Sequence, residues 1–173
     1  MKASAFLMGV GSKTVPNSLA VEHLGAQNGG IVLHSSFVEY NKNGILFAAP
    51  SDTGKSTRTN LWHKHRGAGI INGDRSAICV TEGGIVSYGT PFAGSSNICL
   101  KKILPLAAVV CLKQAPQNHI RRLLGAEAFC RIWKAAASIP GIKPMLRRYP
   151  QRCSKLYAQY LSLMWPAHLM KWP

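Results

Sequence analysis

The stretch Ala49-Pro50-Ser51-Asp52-Thr53-Gly54-Lys55-Ser56-Thr57 decides how this chain is read. It follows an apolar run, Gly44-Ile45-Leu46-Phe47-Ala48, and precedes a helix-like segment from Arg58 to Arg66. A strand, a short turn and Gly-Lys-Ser opening a helix form the arrangement that cradles nucleotide phosphates. The backbone N–H groups of such a turn converge, and the helix N-terminus adds partial positive charge. On this reading residues Pro50, Ser51, Asp52, Thr53, Gly54, Lys55, Ser56 and Thr57 surround the phosphates of ATP. Lys55 reaches the β- and γ-phosphates, and the Ser56 hydroxyl ligates Mg²⁺.

The usual pattern is G-x-x-x-x-G-K-[ST], and here Ala49 stands at the first glycine position. The competing reading is a chance Gly-Lys-Ser-Thr at an ordinary helix start, where Ser and Thr are common. Asp52 sits poorly in a phosphate cradle. Its carboxylate repels the ligand unless it points away or lies near the metal.

The 173 residues are enough for one domain with a real core, and 47% apolar content is that of a folded chain. Five cysteines (Cys79, Cys99, Cys111, Cys130, Cys153) are scattered, with no C-x-x-C pair. They read as reduced, mostly buried thiols without a zinc site. Met1-Lys2 before Ala3 to Val10 faintly resembles a secretory leader, but its apolar stretch is short and contains glycine. The expected location is cytoplasmic. The best apolar candidate for a membrane span, Leu156 to Met170, is too short and contains Pro166, so no transmembrane segment is expected.

The net charge of +15 is unevenly placed. Residues 1–100 carry eight Lys/Arg and five Asp/Glu; residues 101–173 carry thirteen Lys/Arg and one acid, Glu127. Such a basic half suits nucleic acid, an anionic membrane or an acidic or phosphorylated substrate. No nucleic-acid recognition motif accompanies it, so nucleic acid is not the expected partner. From Pro140 onward, five prolines punctuate a run rich in Arg, Lys, Trp, Tyr and Met. That tail reads either as a basic appendage that docks a partner or as a terminus out of its native reading frame.

Three regions are expected: an edge segment over 1–28, an α/β domain over 29–137 and the basic tail over 138–173. Within the domain, β-branched and aromatic content predicts a strand over 31–40. Asn43-Gly44 fits the centre of a type I′ hairpin turn. A strand follows over 45–48, then the phosphate loop and a helix to about Arg66, with Gly67 as its left-handed cap. A third strand covers 68–72, and a hairpin around Glu82-Gly83-Gly84 joins 76–81 to 85–88. Leu104 to Leu112 forms a buried strand. Ile120, Leu123, Leu124, Ala128, Ile132 and Ala135 on one side predict a helix from Asn118 to about Ala137. The loop Gly89 to Ser96, rich in small residues, is expected to close over an acceptor.

Phosphoryl transfer also needs a carboxylate at a neighbouring strand end to hold Mg²⁺ or to orient the acceptor. Asp74 ends the run Ile70-Ile71 about twenty residues past the phosphate loop, where a second strand would put it near the metal. An Asp that merely caps a turn is the alternative. His34 opens on the polar side of the first strand, where most histidines are structural. Arg75 pairs with Asp74, reaches a phosphate or lies on the surface. His63 and His65, two apart on a helix, do not share a face and make poor metal ligands.

From His34 to Ile78 the chain resembles the catalytic domain of HPr kinase/phosphorylase and, more loosely, ATP-dependent phosphoenolpyruvate carboxykinase. Leu33-His34-Ser35 takes the family's histidine position, Gly44 to Thr57 the second strand and phosphate loop, and Ile71-Asn72-Gly73-Asp74-Arg75 the acidic-pair segment. Tyr88 to Gly94, Pro105 to Leu112 and Asn118 to Leu123 look like a small-kinase branch of that superfamily, some of whose members are associated with modified peptides. The likeness spans residues 29 to about 132. It implies a single-domain P-loop α/β fold, a mixed sheet with flanking helices. It implies an ATP-dependent serine kinase-like transferase that uses magnesium and phosphorylates a small protein or peptide. It places Lys55 on phosphate, Ser56 on Mg²⁺, Asp74 as metal ligand or catalytic carboxylate, and His34 near the phosphates, and it implies assembly into a homo-oligomer. Gly73 replaces the first acid of the pair, Asp52 replaces a loop glycine, and the family's carboxy-terminal motif is not recognisable. Those departures suit a second reading, a degenerate nucleotide-binding sensor or scaffold. A third, a basic nucleic-acid-binding module, predicts binding that weakens steeply with salt.

Overall fold

Residues 30–117 and 119–137 are described by the computed structural model; the segment 1–28 and the tail 138–173 lie outside the described residues. The described chain enters as β1 (Gly30–Tyr40), a strand buried along nearly its whole length, including its central Ser35-Ser36. Asn41 and Lys42, at φ 49° and 61°, turn it into β2 (Asn43–Ala48). Two left-handed residues make a type I′ turn, two positions upstream of the expected Asn43-Gly44. Tyr40 faces Asn43 and Glu39 faces Gly44 across the hairpin. Gly44 serves close packing instead of turning: a Cβ there would lie 2.2 Å from Ser87 Oγ and 2.8 Å from Phe37 Cε2.

Next come α1 (Lys55–Arg66), β3 (Gly69–Asn72), β4 (Arg75–Thr81) and β5 (Gly84–Gly89). A single 3₁₀ turn at Gly94–Ser96, β6 (Ile103–Cys111) and α2 (Gly125–Ala137) complete the order. Gly67, at φ 65°, ends α1 as expected, its N–H bonded to the His63 carbonyl. The second helix begins seven residues later than its apolar pattern suggested. Gly125 sits at φ 51°, a left-handed position that an incoming helix cannot pass through. Ile120 and Leu124 accordingly stay 46% and 64% exposed.

The six strands form one mixed sheet in the order β2-β6-β5-β4-β1-β3, with β2 also paired to β1. Two long strands make this circuit by changing partners midway. Gly30 to His34 of β1 pair with β4, while Ser35 to Tyr40 pair with β2 and Phe37 to Glu39 pair with β3 on the opposite edge. Likewise Ile103 to Pro105 of β6 run antiparallel to β5, and Leu106 to Cys111 run parallel to β2. Pro105 stands where β6 leaves one partner for the next, a place where its missing N–H interrupts no continuous ladder. An extra residue on β6 between Leu106 and Ala108 is a bulge of the kind that bends a strand.

Side-chain alternation puts a helix on each side. Phe37 and Leu46 belong to the larger core with Leu33, Ile78, Val109 and the α2 residues Ile132, Ala135 and Ala136. Val38, Ile45 and Phe47 point the other way and enclose Trp62 of α1 and Ala68. Trp62 meets Tyr40 and Phe47 edge-on, at ring distances of 5.5 and 5.6 Å, an arrangement that ring quadrupoles favour. The described residues therefore form an α/β domain, a mixed sheet between two helices. Among the described residues no helix is long and apolar enough to cross a membrane.

Candidate functional site at the β2–α1 turn

β2 ends at Ala48, and the next six residues reverse the chain into α1. Asp52 and Gly54 lie at φ 60° and 99°, and these two left-handed positions make so short a reversal possible. Nothing lies within 4 Å of a Cβ built on Gly54, so its backbone angle, not crowding, is what selects glycine there. Gly54 is the N-cap residue of α1; it offers no side-chain cap, and the first turn of the helix carries no acid. The partial positive charge at this helix end is thus not neutralised by the helix's own side chains.

Lys55 opens the helix and is only 8% exposed. Its Nζ donates to the carbonyls of Ala49 (3.0 Å) and Pro50 (2.9 Å), folding the side chain back across the turn. Burial lowers its pKa, while the charges of Asp74 and Asp52 raise it. One turn on, the Thr59 hydroxyl hydrogen-bonds the Lys55 carbonyl (2.9 Å) and the Ser36 hydroxyl (2.6 Å). Both are buried. Small hydroxyl residues at Ser36 and Thr59 let α1 approach β1 closely and anchor the turn of helix that carries Lys55.

Residues His34 and Ser35 of β1 connect this turn to the acid. Ala49 N–H donates to the His34 carbonyl (3.2 Å), and Ser35 N–H donates to the Asp74 carbonyl (3.0 Å). Asp74 therefore lies across β1 from the β2–α1 turn. His34 Nε2 is 3.2 Å from Asp74 Oδ1, and Arg75 Nε is 3.4 Å from Oδ2. The hydrogen bond from His34 lowers the Asp74 pKa most. The charges of His34, Arg75 and Lys55 push the same way, and partial burial opposes them. The carboxylate is ionised at neutral pH. The Arg75 guanidinium lies over the Phe92 ring, 4.8 Å from its centroid, within cation–π range.

Three residues that sequence reasoning passed over hold this acid in place. Asn72 is fully buried, and its Oδ1 accepts from the N–H groups of Asp74 (2.9 Å) and Arg75 (3.0 Å). Its Nδ2 donates to the Thr90 carbonyl (2.7 Å), and Thr90 Oγ1 donates back to the Arg75 carbonyl (2.6 Å). Ser96 closes the other side: a Cβ on Gly73 would lie 1.9 Å from Ser96 Oγ and 2.6 Å from its Cβ. The space that a first acid of a pair would need at position 73 is filled by Ser96. Asn two residues before Asp is the mark of a side-chain-to-backbone turn and was visible in the sequence. The contributions of Thr90 and Ser96 come from fold contacts that no local pattern encodes.

The loop Gly89 to Ser96, expected to close over an acceptor, is instead tied to the acidic turn. Besides the Asn72 and Thr90 bonds, Gly73 N–H donates to the Ile98 carbonyl and Leu100 N–H to that of Ile71. A Cβ on Gly94 would come 2.7 Å from the Cβ of Asp74. The loop braces the acid.

Of the residues singled out in the sequence, Lys55, His34, Asp74 and Arg75 converge beside the middle of β1, where it changes partners. Pro50, Ser51, Asp52, Thr53 and Gly54 form the turn beside them, Ser51 and Asp52 being exposed. Gln114 Nε2 donates to the Asp52 carbonyl from the far end of β6 (3.2 Å). Ser56 and Thr57 lie exposed in the first turn of α1. His63 stands apart, its Nδ1 bonded to the Ala68 carbonyl at the other end of the helix (2.8 Å). Among the described residues no group of three or more His, Cys, Asp or Glu side chains could hold a metal ion by itself. No protein-family model matches the chain, and no curated protein matches it.

Proposed function

We propose that this domain binds Mg·ATP at the β2–α1 turn and transfers the γ-phosphoryl group to a serine hydroxyl on a small protein or peptide. The observation that carries this reading is Lys55: a nearly buried ammonium at a helix start, resting on two loop carbonyls and sensing the charge of Asp74. A phosphate at the helix N-terminus supplies better acceptors than those carbonyls, because its charged oxygens add ion-pair attraction to the ammonium that a neutral carbonyl lacks. Lys55 would turn from Ala49 and Pro50 onto the β- and γ-phosphates. The left-handed Gly54 leaves the backbone open to their approach.

Magnesium suits the oxygen donors present. The Ser56 hydroxyl and the ionised Asp74 carboxylate would hold it together with phosphate and water oxygens, in keeping with its preference for few protein ligands. When bound it would neutralise phosphate charge. Asp74 is held well ionised by His34 and Arg75, which makes it a weak general base at neutral pH. Its part would therefore be to hold the metal or orient the acceptor hydroxyl, which suffices where the transition state is loose and little proton transfer is required. His34 would keep the carboxylate aimed.

A second reading, nucleotide binding without transfer, is favoured by the filled space at Gly73, which leaves one carboxylate where a two-acid mechanism needs two. Incubation with γ-labelled ATP and a serine-containing peptide library separates the readings. Labelled peptide from the wild type and none from Lys55→Ala supports transfer. ATP binding with no labelled peptide supports the sensor. Equal labelling by Lys55→Ala refutes the role given to Lys55.

A further inference from the structure

We infer that Asn72 and Thr90 are positioning residues for Asp74, a two-sided clasp that fixes the acidic turn against the loop from Gly89 to Ser96. The inference rests on the phosphotransfer reading for its kinetic consequence, though not for its structural one. Each half of the clasp is complete. Asn72 spends its acceptor on two successive N–H groups of the turn and its donor on Thr90. Thr90, 2% exposed, returns a hydroxyl bond to the carbonyl of Arg75.

The two bonds run in opposite senses between the same two segments, so the turn can neither slide along β1 nor swing toward solvent without breaking both. That matters because the Asp74 side chain is partly exposed. His34 and Arg75 lie 3.2 and 3.4 Å from its oxygens and aim the carboxylate, but ion pairs open to solvent add little to holding the backbone turn beneath it. The backbone clasp supplies the constraint they lack. Arg75, with its carbonyl on Thr90 and its guanidinium over Phe92, is set by the same device.

The direct variant Asn72→Ala empties a buried polar site and risks loss of the fold, so Thr90→Val is the informative substitution. It keeps β-branched shape and removes only the hydroxyl, and Thr90→Ser restores it. Two readouts are needed. The first is amide hydrogen exchange followed by NMR, which requires no activity. Thr90→Val should speed exchange of the Asp74 and Arg75 N–H groups, which Asn72 Oδ1 holds, by about tenfold or more as the turn loosens, and Thr90→Ser should restore their protection. The second is peptide phosphorylation. Thr90→Val should lower kcat about ten- to hundredfold, the size of effect expected of a small misplacement. KM for ATP and its calorimetric affinity should stay within about twofold, and Thr90→Ser should recover kcat. Unchanged exchange of the Asp74 and Arg75 amides in folded Thr90→Val overturns the inference, whatever the kinetics. If the wild type transfers no phosphate, the phosphotransfer reading fails, while the NMR result still decides the clasp.

Discussion

Replacing Asp52 should tighten ATP binding, and the size of the gain can be worked from the turn itself. Asp52 is exposed and sits at φ 60° beside the proposed phosphate site. A carboxylate about 6 Å from a ligand of net charge near −2 costs ~1–1.5 kcal/mol at the dielectric of water. Salt at physiological strength screens part of this, leaving ~0.5–1 kcal/mol, or about two- to fivefold in Kd. Asp52 also raises the pKa of Lys55, against the larger lowering by burial. Two variants separate charge from backbone. Asp52→Asn removes the charge and keeps a residue that tolerates the left-handed region. Asp52→Gly also relieves strain of ~1 kcal/mol, although greater freedom in the unfolded chain returns about as much. Both should therefore bind Mg·ATP two- to fivefold more tightly by isothermal calorimetry at 0.15 M salt, with similar melting temperatures. The gain should shrink at higher salt. Unchanged or weaker affinity in both variants would refute the placement of the phosphates beside this turn.

Other expectations follow from the acid and its brace. Gly73→Ala should destabilise the domain by about 1–3 kcal/mol through overpacking against Ser96, and Ser96→Gly in the same chain should recover at least about 1 kcal/mol of that in denaturant melts; strictly additive effects would contradict the packing. The Asp74 pKa is depressed in the folded state, so its contribution to stability is fully present above the unfolded aspartate value of about 3.9 and is lost as pH falls through the lower folded value. Asp74→Asn should consequently be less stable than wild type at pH 7 and lose less stability between pH 5 and 2; parallel acid limbs in thermal melts would argue against the His34 and Arg75 contacts. Lys55→Ala should abolish measurable ATP binding while the circular dichroism spectrum stays that of the wild type, at a stability cost of about 1 kcal/mol per hydrogen bond lost to the Ala49 and Pro50 carbonyls.

Much of the sheet was legible because its signals are local. β-branched runs between glycine pairs mark β1, β4 and β5, and the turn between β2 and α1 announces itself through Gly54-Lys55-Ser56. Two boundaries were misplaced for one physical reason: a glycine has several uses that look alike in sequence. Gly44 is needed where a Cβ would strike Ser87 and Phe37, so the hairpin turn falls to Asn41-Lys42. Gly125 breaks the expected helix pattern by its left-handed backbone, which leaves Ile120 and Leu124 at the surface. The convergence of Lys55, His34 and Asp74 beside the middle of β1 was anticipated from the order of strands and the resemblance. The brace behind Asp74 was not, because it joins residues 15 and 18 positions apart, Arg75 to Thr90 and Asn72 to Thr90, through contacts that exist only once β4 and β5 have paired.

In the proposed function, main-chain amides and Lys55 at the β2–α1 turn grip a triphosphate. Titration of the full chain with Mg·ATP, followed by calorimetry and thermal melting, tests that grip most directly. Saturable heat with one site per chain and a melting temperature that rises with ATP concentration are expected, both lost in Lys55→Ala. No heat and no rise in melting temperature for the wild type, or equal responses from the two proteins, would contradict it.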